Sequence, residues 1–252
     1  MPRKNSKHSN ASAAQSKLRG KIALVTGASR GIGLAIAEAL AAQGCSVAIT
    51  GRDEAALKRV AMRLARIGTE ILPAVCDVRD EDSVAVMMTE VKRKFGRIDI
   101  LVNNAGISHL STPAAKVSHA LWKDVIETNL TGLFLVTQAA LPLMKKGSVI
   151  VNNLSVAAKV AFTGMSAYNA SKAGALAFTN TLREELREQG IKVVALIPGA
   201  TDTEIWETLW PEAPREKMMS AEAVAQALIG VLSVPEDGTV EELIIRPNVG
   251  SL

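Results

Sequence analysis

A chain of 252 residues, of which 48% are hydrophobic and 21% charged, can bury the core of one large α/β domain. The formal net charge of +4 invites a nucleic-acid function, but five positive charges fall in residues 1–19, which contain no Asp or Glu. Without these five the total becomes −1, so residues 20–252 offer no electrostatic footprint for a phosphate backbone. We therefore expect no nucleic-acid partner, and binding through the tail remains a separate, weaker hypothesis.

Residues 1–19 are rich in Ser, Asn and Lys and contain no apolar run, which predicts a disordered basic tail and not a secretory signal. A transit peptide would also be basic and free of acids, and that alternative stays open. No run of about 18 apolar residues occurs, so we expect no membrane span. Cys45 and Cys76 belong to predicted strands and are expected to be small core residues in a reducing, cytoplasmic compartment.

Short apolar runs alternate with longer segments of helical periodicity. Strands are predicted over residues 21–26, 45–50, 70–76, 99–103, 148–153, 191–197 and 241–247. Helices are predicted over residues 31–43, 54–67, 80–95, 118–144, 166–188 and 220–232, and residues 200–219 are predicted to be irregular. Strands separated by helices pair in parallel through right-handed crossovers. The pattern predicts an α/β fold, a doubly wound seven-stranded parallel sheet (Rossmann fold) with helices on both faces, in a single domain over residues 20–252.

A glycine-rich turn, TGASRGIG, links the first predicted strand to the first predicted helix over residues 26–33. Gly27 permits a sharp turn, Gly31 leaves room for a pyrophosphate against the backbone, and Gly33 allows close packing of the helix. The helix N-terminus would then present free N–H groups and a positive dipole end to phosphates. An ordinary strand-to-helix turn is the plain alternative, but the position after the first strand favours a dinucleotide site.

The turn and the motifs that follow it resemble the short-chain dehydrogenase/reductase family over roughly residues 20–247. These motifs occur in order: Asn103-Asn104-Ala105-Gly106 ending the fourth strand, Asn129 in the next helix, Ser155 after the fifth strand, Tyr168 and Lys172 opening a helix, and Pro198-Gly199 closing the sixth strand. The resemblance implies an oxidoreductase that moves a hydride between a nicotinamide cofactor and a small-molecule carbonyl or alcohol. One departure is Leu154, where the family often has a small residue.

Tyr168, the only tyrosine, and Lys172 are four residues apart and therefore share one helix face. A free tyrosine has a pKa of about 10, and a nearby ammonium lowers it, so Tyr168 is expected to act as general acid in reduction and as base in oxidation. The resemblance implies that Ser155 hydrogen-bonds the substrate oxygen and that Asn129 holds a water linked to Lys172. Taken singly, these residues could be an exposed helix pattern, a turn serine and a helix-bending asparagine.

Cofactor choice depends on the end of the second strand, where an NAD-specific enzyme usually has an acidic residue. Arg52 stands there, and with Arg30 it is expected to bind a 2′-phosphate, which favours NADP(H) over NAD(H). Alternatively, Arg52 is a solvated loop charge and Asp53 a helix N-cap.

The resemblance also assigns the remaining cofactor contacts. It places the adenine on Asp77 and Val78, the adenine ribose near Asn104 and Ala105, and the nicotinamide amide and phosphates near Thr201 and Thr203. The full expected cofactor-binding set is Gly27, Ser29, Arg30, Gly31, Ile32, Gly33, Arg52, Asp77, Val78, Asn104, Ala105, Gly106, Tyr168, Lys172, Pro198, Gly199, Thr201 and Thr203.

Residues 200–219 correspond to the family's substrate lid. If Trp206 and Trp210 point inward, the substrate pocket is apolar; otherwise they pack the lid onto the body or onto a neighbouring subunit. His109 could touch substrate, although an ordinary loop role is the simpler interpretation. No catalytic metal cluster is evident in the sequence, and the resemblance implies a homodimer or homotetramer.

Two alternatives accompany the leading hypothesis of a carbonyl reductase or alcohol dehydrogenase. A 3-oxoacyl-[acyl-carrier-protein] reductase would need a basic patch near the cleft for an acidic carrier, and Lys145 and Lys146 are not clearly placed to supply it. The C-terminal sequence also lacks the glycine-rich tail common in those reductases. A nucleotide-bound regulatory or scaffold protein is the other alternative, and retention of Ser155, Tyr168 and Lys172 disfavours it.

Overall fold

A computed structural model describes residues 16–235 and 237–250. Strands and helices alternate through these residues. The strands are β1 (Ile22–Val25), β2 (Ser46–Gly51), β3 (Ile71–Val75), β4 (Ile100–Asn103), β5 (Val149–Asn153), β6 (Lys192–Pro198) and β7 (Glu242–Ile245). The helices are α1 (Gly31–Ala42), α2 (Glu54–Ala65), α3 (Glu81–Phe95), α4 (His119–Ile126), α5 (Gly132–Ala140), α6 (Ser166–Arg187), α7 (Ile205–Leu209) and α8 (Ala221–Leu232).

The strands form one parallel sheet in the order β3-β2-β1-β4-β5-β6-β7, which confirms the predicted doubly wound Rossmann topology. The chain winds outward from β1 in one direction and from β4 in the other. Between these two neighbouring strands the order reverses, so the loops after β1 and β4 diverge to opposite faces of the sheet. This divergence opens a crevice at the carboxyl ends of the strands.

Each face of the sheet is covered by its own apolar core. On one face, α1, α2 and α8 pack through Ala, Val, Ile and Leu residues such as Ile36, Leu57 and Leu228. On the other face, α3, α5 and α6 pack through residues such as Met87 and Val136. Helices on both faces explain why the strands are apolar runs without polar alternation.

The predicted helix over residues 118–144 is wrong as a single element. Ser118 caps α4, since its hydroxyl accepts from the Leu121 N–H at 3.1 Å. The helix then widens into a π-helical turn, Glu127–Thr131, before α5, and a 3-10 turn follows at Leu141–Leu143. Contacts with residues outside the helix hold the π turn, and the spacing of apolar residues in the sequence does not predict such contacts.

Residues 200–219 are less irregular than predicted, because they contain α7 and a 3-10 turn at Arg215–Lys217. At the other end of the chain, residues 1–15 of the expected disordered tail lie outside the described residues. Residues 16–19, also assigned to the tail, pack on the body: Leu18 is 4% exposed, and its carbonyl accepts from the Cys45 thiol at 3.2 Å. The folded body therefore begins earlier than residue 20.

Both cysteines are buried free thiols, as predicted. Among the described residues, no helix combines the length and the apolar character that a membrane span requires.

Candidate active site

A cavity of about 1040 Å³ opens at the carboxyl ends of the strands. Its wall combines the glycine-rich turn after β1, the ends of the neighbouring strands, the start of α6 and the segment of residues 200–219, called the lid below. The sequence-predicted site residues converge here from elements far apart in the chain. Of the expected catalytic and cofactor-binding residues, only Gly33 and Asn129 stay outside the wall.

The glycine-rich turn has the geometry that its sequence predicts. Gly27 and Gly31 have φ values of +63° and +57°, which side-chain-bearing residues rarely adopt. A Cβ at Gly33 would lie 2.5 Å from the Gly27 carbonyl oxygen and would also clash with the Asn104 amide. Because Gly33 has no side chain, the start of α1 can pack closely against the turn.

The N-terminus of α1 is suited to an anion. Its N-cap residue, Arg30, makes no side-chain capping hydrogen bond, and the first turn holds no acidic residue. The first N–H groups of a helix have no partner within the helix, and they carry the positive end of its dipole. A dinucleotide pyrophosphate fits this end of the cavity.

Asn104 braces the turn with its side chain. The Asn104 Nδ2 donates to the carbonyls of Thr26 and Gly27 at 2.9 and 3.1 Å, and its Oδ1 accepts from Asn153 at 2.8 Å. With the side-chain amide engaged in this way, Asn104 and Ala105 form part of the cavity wall beside the turn.

Two arginines border the cavity end that the sequence assigns to the 2′-phosphate. Arg30 and Arg52 are exposed, line the cavity and make no ion pair with any described residue. Asp53 caps α2, because its Oδ1 accepts from the Ala56 N–H at 2.9 Å. Its carboxylate is thus engaged at the helix end, while both guanidinium groups remain free to meet an anion.

Asp77 and Val78 line the cavity, at the end that the resemblance assigns to the adenine, but Asp77 is already paired. Arg79 binds the Asp77 carboxylate through Nε and Nη2, the latter at 2.6 Å. This hydrogen bonding holds the pKa of Asp77 below its usual value. The carboxylate is therefore charged and oriented by Arg79.

Ser155, Tyr168 and Lys172 meet on one side of the cavity. Ser155 caps a 3-10 turn after β5, and its Oγ accepts from the Ala157 N–H at 3.1 Å, which leaves the hydroxyl proton free to donate. Tyr168 lies in the first turn of α6. Lys172, one turn later, places its Nζ 5.8 Å from the centre of the Tyr168 ring and donates to the Asn153 carbonyl at 3.0 Å.

The pKa values in this cluster are set mainly by burial. Burial raises the pKa of the Tyr168 phenol, and hydrogen bonding with Ser155 opposes this only in part. Burial also lowers the pKa of Lys172 to about 8. The expectation that Lys172 lowers the pKa of Tyr168 is therefore not met: burial raises that pKa, and the partial lowering comes from Ser155.

Asn129 lies in the π turn, behind the cavity wall. Its side chain makes two hydrogen bonds with the main chain of Ile107, at 2.8 and 2.9 Å, and donates to the Ser171 hydroxyl at 3.0 Å. These contacts join the loop after β4 to α6. Gly106, next to Ile107, lies so close to Lys172 that an added Cβ would stand 3.6 Å from Nζ.

The lid closes the remaining side of the cavity. Its two ends pair through main-chain hydrogen bonds between residues 200–202 and Met219, and Arg215 donates to Asp202 at 2.5 Å. Trp206 and Trp210 both line the cavity, and the Trp206 Nε1 donates to the Thr201 carbonyl at 2.8 Å. The tryptophans therefore contribute apolar surface to the cavity.

Sequence reasoning missed two asparagines that hold the site together. The Asn169 Nδ2 donates to the carbonyls of Ala157 and Val160 at 2.9 and 2.7 Å, which ties α6 to the turn carrying Ser155. Asn153 joins Asn104 to Lys172, as described above. The motif spacing names Tyr168 and Lys172 but carries no signal for these bridging amides.

His109 is buried and lies outside the cavity wall. Its Nδ1 bonds the Leu110 carbonyl at 2.7 Å, while its Nε2 has no hydrogen-bond partner within the described part of the chain. Across that same part, no group of three or more His, Cys, Asp or Glu side chains could hold a metal ion.

The chain matches the short chain dehydrogenase family model over residues 21–214, and it belongs to that family. An oxidoreductase of Staphylococcus saprophyticus is 36% identical over 235 residues, covering 92% of this chain and 99% of that protein. A 3-oxoacyl-[acyl-carrier-protein] reductase of Synechocystis is 40% identical over 195 residues, 76% of this chain and 78% of that protein.

Solved structures show the same fold. An alcohol dehydrogenase from Thermococcus sibiricus, complexed with 5-hydroxy-NADP, superposes with a TM-score of 0.87 at 30% identity, over 93% of this chain and 99% of that one. A 3-ketoacyl-(acyl-carrier-protein) reductase from Brucella melitensis, complexed with NADH, gives a TM-score of 0.82 at 31% identity, over 90% and 97%. The chain is thus an oxidoreductase of the short-chain dehydrogenase type.

Proposed function

We propose that this chain is an NADP(H)-dependent oxidoreductase that transfers a hydride between the nicotinamide and a carbonyl or secondary alcohol. The supporting observation is that Ser155, Tyr168 and Lys172 line the same cavity as the α1 N-terminus. One side of the cavity thus offers proton-transfer groups, and the other offers an anion site. The bound dinucleotide would supply or accept the hydride.

In carbonyl reduction, Ser155 binds the substrate oxygen and Tyr168 donates its proton to that oxygen. Tyr168 then regains a proton from solvent through Lys172, with Asn129 fixing the backbone beside it. Alcohol oxidation runs the same transfer in reverse. Lys172, whose pKa of about 8 lies close to neutrality, is well matched to exchange a proton in both directions.

The preference for NADP(H) over NAD(H) is supported by Arg30 and Arg52, which lack ion-pair partners among the described residues and border one end of the cavity. A guanidinium can bind a phosphate with two parallel hydrogen bonds. The capping role of Asp53 supports the same choice, because that carboxylate is engaged by the Ala56 N–H at the start of α2.

We propose an apolar substrate. Leu110, Phe162 and Trp210 line the cavity and yet are 59%, 40% and 46% exposed, so the opening of the cavity is hydrophobic. An apolar substituent of the substrate would bury this surface on binding.

The second candidate is a 3-oxoacyl-[acyl-carrier-protein] reductase, which the 40% identity to the Synechocystis reductase favours. Lys145 and Lys146 give this candidate no support, because they lie shortly before the amino end of β5, whereas the cavity opens at the carboxyl ends of the strands. Turnover of an acetoacetyl thioester in preference to simple ketones would support it.

The experiment follows NADPH oxidation by the purified chain with apolar ketones, diketones and an acetoacetyl thioester, alongside Tyr168→Phe. We expect turnover that falls by about 10²-fold or more in Tyr168→Phe. If the chain binds NADPH but Tyr168→Phe changes no activity, the regulatory or scaffold alternative replaces the enzyme.

We also propose that the chain acts in the cytoplasm as a homodimer or homotetramer, without nucleic-acid or membrane partners, and that residues 200–219 move as a lid. Exposed aromatic side chains support assembly: Trp122 on α4 and Phe134 on α5, the latter in edge contact with Phe178. Light scattering on the purified chain tests the assembly, and a monomer at micromolar concentration would contradict it.

A further inference from the structure

Glu204, the residue before α7, has a carboxylate at the phosphate end of the cavity. Its Oε2 lies 3.6 Å from the position that a Cβ on Gly31 would occupy. The methyl group of Thr203 lies 3.3 Å from the same point. The space that Gly31 leaves open at the start of α1 is therefore bordered by the lid.

This position is electrostatically favourable for a carboxylate. The first turn of α1 contains no acid, and its N-cap is unfilled by any side chain. A negative group near such a terminus is stabilised by the helix dipole. Glu204 forms no ion pair with any described residue, and the nearby N-cap residue Arg30 is likewise without one.

The base of the lid keeps Glu204 at this location. Arg215 donates to the Asp202 carboxylate and, at 2.8 Å, to the Thr203 carbonyl. The Asp202 N–H also bonds the Met219 carbonyl at 2.8 Å. The residues before Glu204 are thus fixed by hydrogen bonds, and the carboxylate can leave the α1 terminus only by rotation of its side chain or by movement of the lid.

We propose that Glu204 competes with the phosphates of the dinucleotide for the N-terminus of α1, and so sets cofactor affinity. The inference rests on the proposed function, which places those phosphates at α1. Two anions cannot share this terminus without repulsion, so cofactor binding displaces the Glu204 carboxylate.

The test measures the Kd of NADPH by fluorescence titration of the purified full chain at low and high ionic strength. Glu204→Gln removes the charge and keeps the shape, and we expect it to bind NADPH roughly three- to tenfold more tightly at low salt. The gain should shrink at about 0.5 M salt, because mobile ions screen the repulsion. Glu204→Asp retains the charge and should bind more weakly than Glu204→Gln.

Glu207→Gln is the matched control, since Glu207 is exposed on α7, three residues after Glu204, and does not line the cavity. It makes the same change in net charge and should leave the Kd unchanged. Structural damage would weaken binding, so a tighter Kd in Glu204→Gln cannot come from a disturbed fold.

An unchanged or weaker Kd in Glu204→Gln, or an equal gain in Glu207→Gln, would overturn the inference while leaving the proposed function intact. Failure of the wild-type chain to bind either NADPH or NADH would overturn the proposed function and, with it, this inference.

Discussion

The Nζ of Lys172 donates a hydrogen bond to the main-chain carbonyl of Asn153 at the end of β5, at 3.0 Å. The Lys172 residue is 6% exposed, so its ammonium is held inside the protein by a neutral carbonyl and no described carboxylate pairs with it. A buried, unpaired ammonium is unfavourable for folding. The presence of this ammonium, despite its cost to the stability of the fold, is consistent with a role in proton transfer.

Lys172→Met should stabilise the fold and abolish turnover. The pKa of Lys172 is about 8 in the folded chain, below the ordinary 10.5, so the folded state holds this proton less tightly. Below pH of about 8 this difference destabilises the fold by about 3 kcal/mol, and the effect fades as the pH rises to about 10.5. Loss of the hydrogen bond to Asn153 subtracts about 1 kcal/mol, which leaves a net gain of about 1–3 kcal/mol at pH 7.

Urea denaturation of the wild type and Lys172→Met at pH 7 and pH 10 checks this. The stability difference should be larger at pH 7 than at pH 10. A variant less stable than the wild type at pH 7 would contradict the burial argument.

The two reaction directions should respond oppositely to pH. Burial raises the pKa of Tyr168 above its ordinary value of 10.0, so the phenol is protonated through the neutral range. Reduction needs this proton, and its rate should stay level through neutral pH and fall only in strong alkali. Oxidation needs the phenolate, and its rate should rise with pH, up to about tenfold per unit.

Initial rates in both directions between about pH 6 and pH 10 measure this contrast. An oxidation rate that declines above neutrality would show that another group controls the proton transfer.

Arg30→Ala and Arg52→Ala should each weaken NADPH binding by about tenfold and leave NADH binding nearly unchanged, because only NADPH carries the 2′-phosphate. Arg59→Ala is the control, since Arg59 is exposed on α2 and does not line the cavity. Fluorescence titration with both cofactors gives the Kd of each variant relative to the wild type. Equal losses for NADPH and NADH would place these arginines away from the 2′-position.

Asn169→Ala should lower kcat more than cofactor affinity. The Asn169 amide holds the carbonyls of Ala157 and Val160 and so positions the Ser155 turn against Tyr168. Loss of two hydrogen bonds should destabilise the fold by about 1–3 kcal/mol. Displacement of Ser155 should reduce kcat by about tenfold or more, with the Kd of NADPH unaltered.

Asn180→Ala is a comparison on the same helix, because Asn180 is exposed and bonds only Arg183 there. It should change neither kcat nor stability by a comparable amount. If Asn169→Ala destabilises the chain but keeps full kcat, Asn169 has a purely structural role.

Much of the fold and part of the candidate site can be predicted from the sequence alone. The seven strands follow from apolar runs between helical segments, and the central strands β1 and β4 are apolar because both of their faces are buried. The turn from Thr26 to Gly33 is readable because its glycines have positive φ values or close contacts that other residues cannot adopt. Tyr168 and Lys172 are readable because helical periodicity alone puts them on one face.

Tertiary structure decided the rest, because those features depend on contacts between distant parts of the chain. The helix breaks around Asn129 because that side chain bonds Ile107 and Ser171, which no local pattern encodes. The pKa of Tyr168 rises because burial in the folded chain disfavours the phenolate, and the hydrogen bond with Ser155 offsets this only in part. The closeness of Glu204 to Gly31 exists only because the lid returns across the start of α1. Sequence spacing determined which groups share a helix or a turn. Tertiary packing decided which of these groups come into contact and how far each is buried from water.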